Sequence, residues 1–230
     1  MKGKEVKAKT LMIACEVVAK EIGHRVPENL PLHVLDPALH VHPDRLRKAI
    51  QDAIDEEERR FEILLLGYGR CARAVEGLKS HRATMILPRV DDCIGFFLGS
   101  KAAHGAQMKK EPGTFFLSKG WIEAGSTPFE EYAYMVKRFG QARAERLMKE
   151  LLHNYTRLAF IVMDGQEDTR ASIGYAREKA ARFGLRYEEI KGTSFLFDKL
   201  IKDPTRNGVC DELLIVPPGN EITYDMFIPK

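Results

Sequence analysis

The chain has 230 residues and a formal net charge of only +3, because 36 Lys and Arg residues are balanced by 33 Asp and Glu residues. A hydrophobic content of 44% with 30% charged residues is an ordinary globular balance, which allows one large domain or two small ones. Acidic residues interrupt the basic runs, and no apolar run approaches the ~18 residues of a membrane span, so neither a nucleic-acid nor a membrane partner is expected.

The first half of the chain alternates short apolar runs with helical patterns. Strands are predicted at residues 10–14, 32–35, 61–66, 84–87 and 113–117. Helices are predicted at 16–22, at 43–60 with Pro43 in the first turn, from Cys71 to Lys79, and from Asp91 to Leu98. Apolar strands of this kind are typical of parallel strands covered by helices on both faces.

From residue 129 to residue 154 the spacing of apolar residues is helical, and Gly140 divides the segment into two helices. Strands then return at residues 158–163, 185–190 and 212–216, with helices at 168–183 and 193–202 between them and a turn or exposed loop at 203–208. The second half of the chain therefore has the same alternation as the first.

This alternation predicts an α/β fold with a mostly parallel, Rossmann-like sheet flanked by helices, and with a helical hairpin as an insertion. Residues 1–127 would form an N-terminal α/β half, residues 128–155 the insertion and residues 156–230 a C-terminal α/β half. The three segments are either separate units or parts of one domain.

Three of the four cysteines lie just beyond predicted strands. Cys15 follows the first strand directly, Cys71 comes four residues after Gly67, and Cys93 comes six residues after Leu87. The carboxyl ends of parallel strands meet at one edge of a sheet, so we expect the three thiols to converge. We also expect helix N-termini to lower the pKa of these thiols, because the helix dipole favours a thiolate.

The competing interpretation is that the three cysteines are small buried core residues, because cysteine is among the most buried side chains. No signal peptide with a cleavage site is expected at the N-terminus, which indicates a cytoplasmic protein whose thiols stay reduced. The cysteines are then thiols, ligands or nucleophiles rather than disulfides, and the absence of Cys-x-x-Cys spacing argues against a zinc ribbon. Cys210 follows a turn and is expected to be a core residue.

The loop from Gly67 to Cys71 has the sequence Gly-Tyr-Gly-Arg-Cys, and its glycines would let the backbone approach a ligand closely. Tyr68, Gly69 and Arg70 are therefore candidate substrate-binding residues, together with Asp92. Arg70 would hold a carboxylate or phosphate, although an exposed ion pair is an equal alternative. Asp91 and Asp92 are helix caps first and acid–base candidates second, and no catalytic residue is assigned.

The histidines give a weaker signal. His33, His40 and His42 lie around the second strand, and His40 and His42 would point the same way in an extended segment, as metal ligands could. A structural role is favoured for these three and for His104, which follows the helix of Cys93.

The motifs around the three cysteines resemble domain-of-unknown-function family 1638. The matching runs are Ile-Ala-Cys-Glu at 13–16, Leu-Gly-Tyr-Gly-Arg-Cys at 66–71, Val-Asp-Asp-Cys-Ile-Gly-Phe-Phe-Leu-Gly-Ser at 90–100 and Pro-Gly-Thr-Phe-Phe-Leu at 112–117. Ala72 stands where the commoner Tyr-Gly-x-Cys-Gly form has a second glycine. Members of that family are found beside corrinoid-dependent methyltransferases that use methylamines. The resemblance implies the same setting for this chain, and no established activity.

The resulting hypothesis is a metal site in which Cys15, Cys71 and Cys93 bind Zn²⁺ with an open fourth position. Such a site would serve an accessory or methyl-transfer role in corrinoid-linked one-carbon metabolism, acting on a small-molecule substrate or a corrinoid protein. The enzymatic form of this hypothesis is a zinc-dependent methyltransferase. Two alternatives stay open: a 4Fe-4S cluster with one open iron in redox or lyase chemistry, and a non-enzymatic partner or chaperone of a corrinoid protein.

Overall fold

A computed structural model describes residues 9–125, 127–166, 168–202 and 211–228. The strands are β1 Thr10–Cys15, β2 Leu32–Leu35, β3 Ile63–Gly67, β4 Thr84–Pro88, β5 Thr114–Ser118, β6 Arg157–Val162, β7 Arg186–Lys191 and β8 Leu213–Val216. The helices are α1 Glu16–Ile22, α2 Pro43–Glu57, α3 Cys93–Phe97, α4 Lys101–Lys110, α5 Lys119–Glu123, α6 Pro128–Phe139, α7 Gln141–Leu152, α8 Arg170–Arg182 and α9 Phe195–Ile201. The predicted α/β fold with mostly parallel strands is confirmed.

The strands form two sheets. The first has the order β2-β1-β3-β4-β8, in which the first four strands are parallel and β8 pairs antiparallel with β4. The chain passes from β1 to β2 on one side and then to β3 on the other side of β1. This order places a topological switch point between β1 and β3, where a crevice opens outside the carboxyl ends of the strands.

Both faces of this sheet are covered, as the apolar strands predict. Leu11 and Ile13 of β1 point to the face on which α2 packs with Leu46 and Ile50. The alternate residues of β1 point to the opposite face, where they meet α1, α3, α9 and the second sheet. Because side chains alternate along a strand, a near-continuous apolar sequence buries both faces at once.

The second sheet has the order β5-β6-β7 and is wholly parallel. Its first crossover contains the predicted helical hairpin, α6 and α7, which meet at Gly140 with a φ of 79°. A left-handed φ of this kind suits glycine, and it separates the two helices sharply. The segments 1–127 and 156–230 each contribute strands to both sheets, because β5 lies in the second sheet and β8 returns to the first.

A shared core and a buried polar contact join the two sheets. Residues of β6, such as Ala159 and Ile161, pack in the same cluster as Met12 of β1. Glu21 of α1 is fully buried, and its carboxylate accepts hydrogen bonds from Ser118 Oγ at 2.6 Å and from the Gly120 N–H at 2.5 Å. Helix α1, which follows Cys15, is thereby fixed against β5 and α5.

The prediction of a helix from Cys71 to Lys79 is wrong. Residues 71–77 form successive turns, and Cys71, Ala72 and Arg73 all have positive φ, at 47°, 53° and 74°. A right-handed helix needs negative φ throughout, so these three residues exclude one. Cys210 and the loop at 203–208 lie outside the described residues.

Candidate functional site

The switch point of the first sheet is the place where the candidate site lies. Cys15 is the last residue of β1, and Cys71 lies in the turn after β3, so they stand on the two sides of the crevice. Cys93 begins α3, beyond the neighbouring strand β4. All three are free thiols and all three are half-buried, so a small ligand could reach them.

The loop after β3 is held against the loop after β4. The Arg70 N–H donates to Val90 O at 2.9 Å, and the Cys71 N–H donates to Asp91 O at 2.8 Å. A Cβ added at Gly69 would lie 2.7 Å from Asp92 N, which is closer than side-chain carbons approach backbone atoms. Gly69 is therefore required for backbone approach between the two loops, and it positions Cys71 relative to Asp92. A direct contact between Gly69 and a ligand, the predicted role, stays a prediction.

The three thiols are close enough to influence one another's protonation. Burial raises the pKa of Cys15, and the N–H groups of Val18 and Val17 at the start of α1 lower it only in part. Burial also raises the pKa of Cys71 and of Cys93, and the charge of Cys15 is the next cause for both. The convergence of the three sulfurs around one metal position stays a prediction.

The predicted lowering of the thiol pKa is wrong for this state of the protein. Helix N-termini do favour the Cys15 thiolate, but desolvation outweighs them at all three cysteines. Asp92 adds a negative charge that raises the pKa of Cys71 and Cys93 further. The thiols therefore favour the neutral form, and a thiolate at Cys15 would oppose ionisation of Cys71 and Cys93.

Tyr68 is the predicted residue that the structure brings to the thiols most clearly. Its side chain is only 2% exposed, and its hydroxyl is buried without a hydrogen-bond partner among the residues that the structure describes. Burial raises the pKa of this phenol, and the charges of Cys15 and Cys71 raise it further. Tyr68 belongs to the core cluster against which Cys15 and Cys71 also pack. A buried donor without a partner costs about 1–3 kcal/mol, so this hydroxyl is a candidate contact for a bound group.

A residue that the sequence did not reveal covers the site from the second sheet. Trp121 of α5 donates its indole N–H to the sulfur of Cys93, which lowers the pKa of that thiol against the effect of burial. The ring of His40 packs edge-on against Trp121, with the centroids 4.8 Å apart, and His40 Nδ1 lies 2.6 Å from Pro37 O. No local motif marks Trp121, because its contact with Cys93 depends on how the two sheets pack.

Asp92 has the structural role predicted for it. Its carboxylate accepts the Gly95 N–H at 3.0 Å as the N-cap of α3, and His104 Nδ1 lies 3.5 Å from the same oxygen. Asp91 pairs with Lys101 at 3.2 Å. The Asp92–His104 pair therefore stands at the edge of the thiol site, on the side of Cys93.

Arg70 contacts Glu76 and Tyr224. Its Nε lies 3.9 Å from a carboxylate oxygen of Glu76, and its guanidinium lies 5.2 Å from the centre of the Tyr224 ring. This arrangement matches the ion-pair interpretation that the sequence left open. His33 pairs with Glu57 at 3.3 Å, and His42 precedes Pro43 at the start of α2.

The donor set at the switch point fits a soft divalent cation. Thiols are the ligands that Zn²⁺ prefers, and the buried hydroxyl of Tyr68 provides a partner for a further bound group. Across the described ranges, no group of three or more His, Cys, Asp or Glu side chains is already arranged as a metal site. In the same ranges, no helix is long and apolar enough to cross a membrane.

Fold and site together define an α/β protein with a thiol-lined crevice at the switch point of a mostly parallel sheet. A family model described as "Protein of unknown function (DUF1638)" matches residues 34–201, and the chain belongs to this family. The matched segment contains Cys71 and Cys93 and begins after Cys15. The resemblance seen in the sequence motifs is thereby confirmed. No curated protein and no solved structure matches the chain.

Proposed function

We propose that Cys15, Cys71 and Cys93 bind Zn²⁺ and that the protein serves a methyl-transfer or accessory role in corrinoid-linked one-carbon and methylamine metabolism. One observation carries the metal site: three half-buried free thiols lie at or just beyond the carboxyl ends of β1, β3 and β4, around the switch point of the sheet. A divalent cation would displace the thiol protons and offset the negative charge of the thiolates that bind it. The corrinoid link is what the family resemblance implies, and a cytoplasmic location is part of the same proposal.

In this proposal the cysteines, Tyr68 and Trp121 have separate roles. The three cysteines would hold the metal, which would supply Lewis acidity toward a thiol, an amine or a methyl acceptor. The buried Tyr68 hydroxyl would donate a hydrogen bond to the bound substrate. Trp121 would shield Cys93 from water through its N–H contact with the sulfur. Because the thiols are protonated when free, loading requires them to release protons and turn toward one another.

Metal analysis after anaerobic purification tests this proposal. We expect about one Zn²⁺ per chain, with no visible absorption band, as a closed-shell d¹⁰ ion requires. Visible sulfur-to-iron absorption with bound iron would instead support the 4Fe-4S alternative. A tight complex with a corrinoid protein, without metal in either, would support the chaperone alternative.

Cysteine variants sharpen the test. Cys71→Ser should lose most of the metal, because a hydroxyl is a far poorer ligand than a thiolate for this borderline-soft ion. Cys210→Ser is the matched control, since it makes the same chemical change at the cysteine that the sequence sets apart, and it should keep the metal. Equal loss in both variants, or metal-free wild-type protein, would contradict the proposal and leave the three cysteines as core or redox thiols.

A further inference from the structure

A second cavity lies on the helical side of the molecule, away from the thiol site. It has a volume of about 450 Å³ and lies between the hairpin helices α6 and α7 and the end of α8. Its walls belong to the core cluster of the second sheet, and it shares no residue with the thiol site. The lining residues are Tyr132, Glu145, Met148, Lys149, Leu152, His153, Arg182, Phe183 and Gly184.

The base of the cavity is apolar and aromatic. Met148 is fully buried, Leu152 is 5% exposed, and the rings of Tyr132 and Phe183 meet edge-on with their centroids 5.5 Å apart. Tyr132 is 7% exposed, and its hydroxyl is buried with no hydrogen-bond partner in the described ranges. Surfaces of this composition favour a planar apolar group, and the volume falls in the range of roughly 300–1,000 Å³ that small-molecule sites occupy.

The rim is cationic. Lys149 and Arg182 form no ion pair within the part of the chain that the structure describes, whereas Glu145, the acidic residue of the lining, accepts a hydrogen bond from Gln141. The guanidinium of Arg182 lies 4.6 Å from the centre of the Tyr132 ring, so stacking holds it in place. A stacked guanidinium keeps its N–H donors in its own plane, where they can bind a carboxylate in a bidentate manner.

We propose that this cavity is a binding site for a small organic anion with a planar apolar body, of the aromatic carboxylate class. The ring of the ligand would pack on Met148 and Phe183, and its carboxylate would pair with Arg182 and Lys149. This site is independent of the metal proposal, because the two sites have no element in common.

The test is a titration of the full-length protein followed by NMR of the Met148 methyl group, assigned with Met148→Leu. The probe is 2-naphthoate, and its matched controls are 2-naphthamide, which has the ring without the charge, and inorganic phosphate, which has the charge without the ring. We expect a saturable shift with naphthoate and binding weaker by about tenfold or more with either control, as loss of a charge-assisted bidentate contact implies. Equal shifts with all three compounds, or no saturable shift with naphthoate, would overturn the proposal.

Two variants of α8 separate a local contact from an effect of net charge. Arg182→Gln should weaken naphthoate binding by about tenfold or more, because it removes the guanidinium at the rim. Arg170→Gln removes the same charge from the first turn of the same helix, where the side chain is 93% exposed, and should leave binding unchanged. If Arg182→Gln disturbs folding, Lys149→Gln takes its place with a smaller expected loss. Equal weakening by the rim variant and by Arg170→Gln would contradict a specific site.

Discussion

Cys71 lies in an unusual backbone segment, and this strain belongs to the thiol site. Cys71, Ala72 and Arg73 have consecutive positive φ values, a conformation that costs roughly 1–2 kcal/mol for each residue with a side chain. Such strain persists where the surrounding structure imposes it, and it concentrates at functional sites. Here the backbone bonds of Arg70 and Cys71 to residues 90 and 91 fix the chain just before the strained turn. The strained turn therefore begins at the residue that carries the candidate thiol.

Ala72 gives a direct test of this strain. At a φ of 53° glycine has no steric penalty, so Ala72→Gly should raise the free energy of unfolding by up to about 1 kcal/mol, after the entropic cost of glycine is subtracted. Ala106→Gly is the matched control, because Ala106 is exposed inside α4, where glycine should lower stability by about 1 kcal/mol. Urea unfolding measures both. A loss of stability in Ala72→Gly as large as that in Ala106→Gly would contradict the strained turn.

At the residue scale the sequence revealed part of the site. The structure places the three cysteines at or just beyond the ends of β1, β3 and β4, as the sequence predicts. That their sulfurs meet and that Tyr68 belongs to the same site stay predictions. The sign of the thiol pKa shift was wrong, because burial depends on the atoms packed around a sulfur and no sequence pattern reports these. Trp121 was missed for a related reason: its contact with Cys93 bridges two sheets and 28 residues of chain.

At the scale of elements, periodicity predicted most strands and helices, including the division of the hairpin at Gly140. It failed at residues 71–79, where apolar spacing favoured a helix and backbone contacts imposed left-handed turns. The sequence pattern also did not predict that the strands divide between two sheets. An apolar run predicts that a strand is buried, but not which strand it pairs with, and β8 accordingly joins β4 in antiparallel fashion.

Helix α1 gives a prediction about pH. Burial raises the pKa of Glu21 above its ordinary value of 4.5, so the folded protein holds this proton more tightly than the unfolded chain. The stabilising effect of the proton is complete below pH 4.5 and is lost as the pH rises through the folded pKa. Glu21→Gln keeps an acceptor for Ser118 and Gly120 and cannot ionise. The variant should therefore gain stability relative to wild type as the pH rises from 4 to 8.

Urea unfolding of both proteins across this pH range measures the difference. Glu131→Gln is the control for loss of one negative charge, because Glu131 is exposed on α6. A difference between Glu21→Gln and wild type that stays constant from pH 4 to pH 8 would contradict a raised pKa at Glu21. A gain that falls with increasing pH would contradict the sign.

On the scale of the whole molecule, the two sheets share a core, and the thiol site lies where they meet. Residues of β1 and β6 pack in one cluster, and Glu21 and Trp121 add polar contacts between α1, α5 and α3. A chain with one continuous core between its sheets should unfold in a single cooperative transition. Trp121, the one tryptophan in the sequence, lies at this junction, so its fluorescence reports on the junction itself.

We therefore expect thermal unfolding followed by Trp121 fluorescence to coincide with unfolding followed by far-ultraviolet circular dichroism, which reports on both sheets. A metal bound by the folded state alone adds about 2.7 kcal/mol at a free concentration a hundred times the dissociation constant, which raises the midpoint by roughly 5–10 °C for a chain of this size. Both signals should shift together with Zn²⁺ in reduced wild-type protein, and neither should shift in Cys71→Ser. Two separate transitions would show that the sheets unfold independently, and a shift in one signal alone would show that the metal stabilises one sheet without the other.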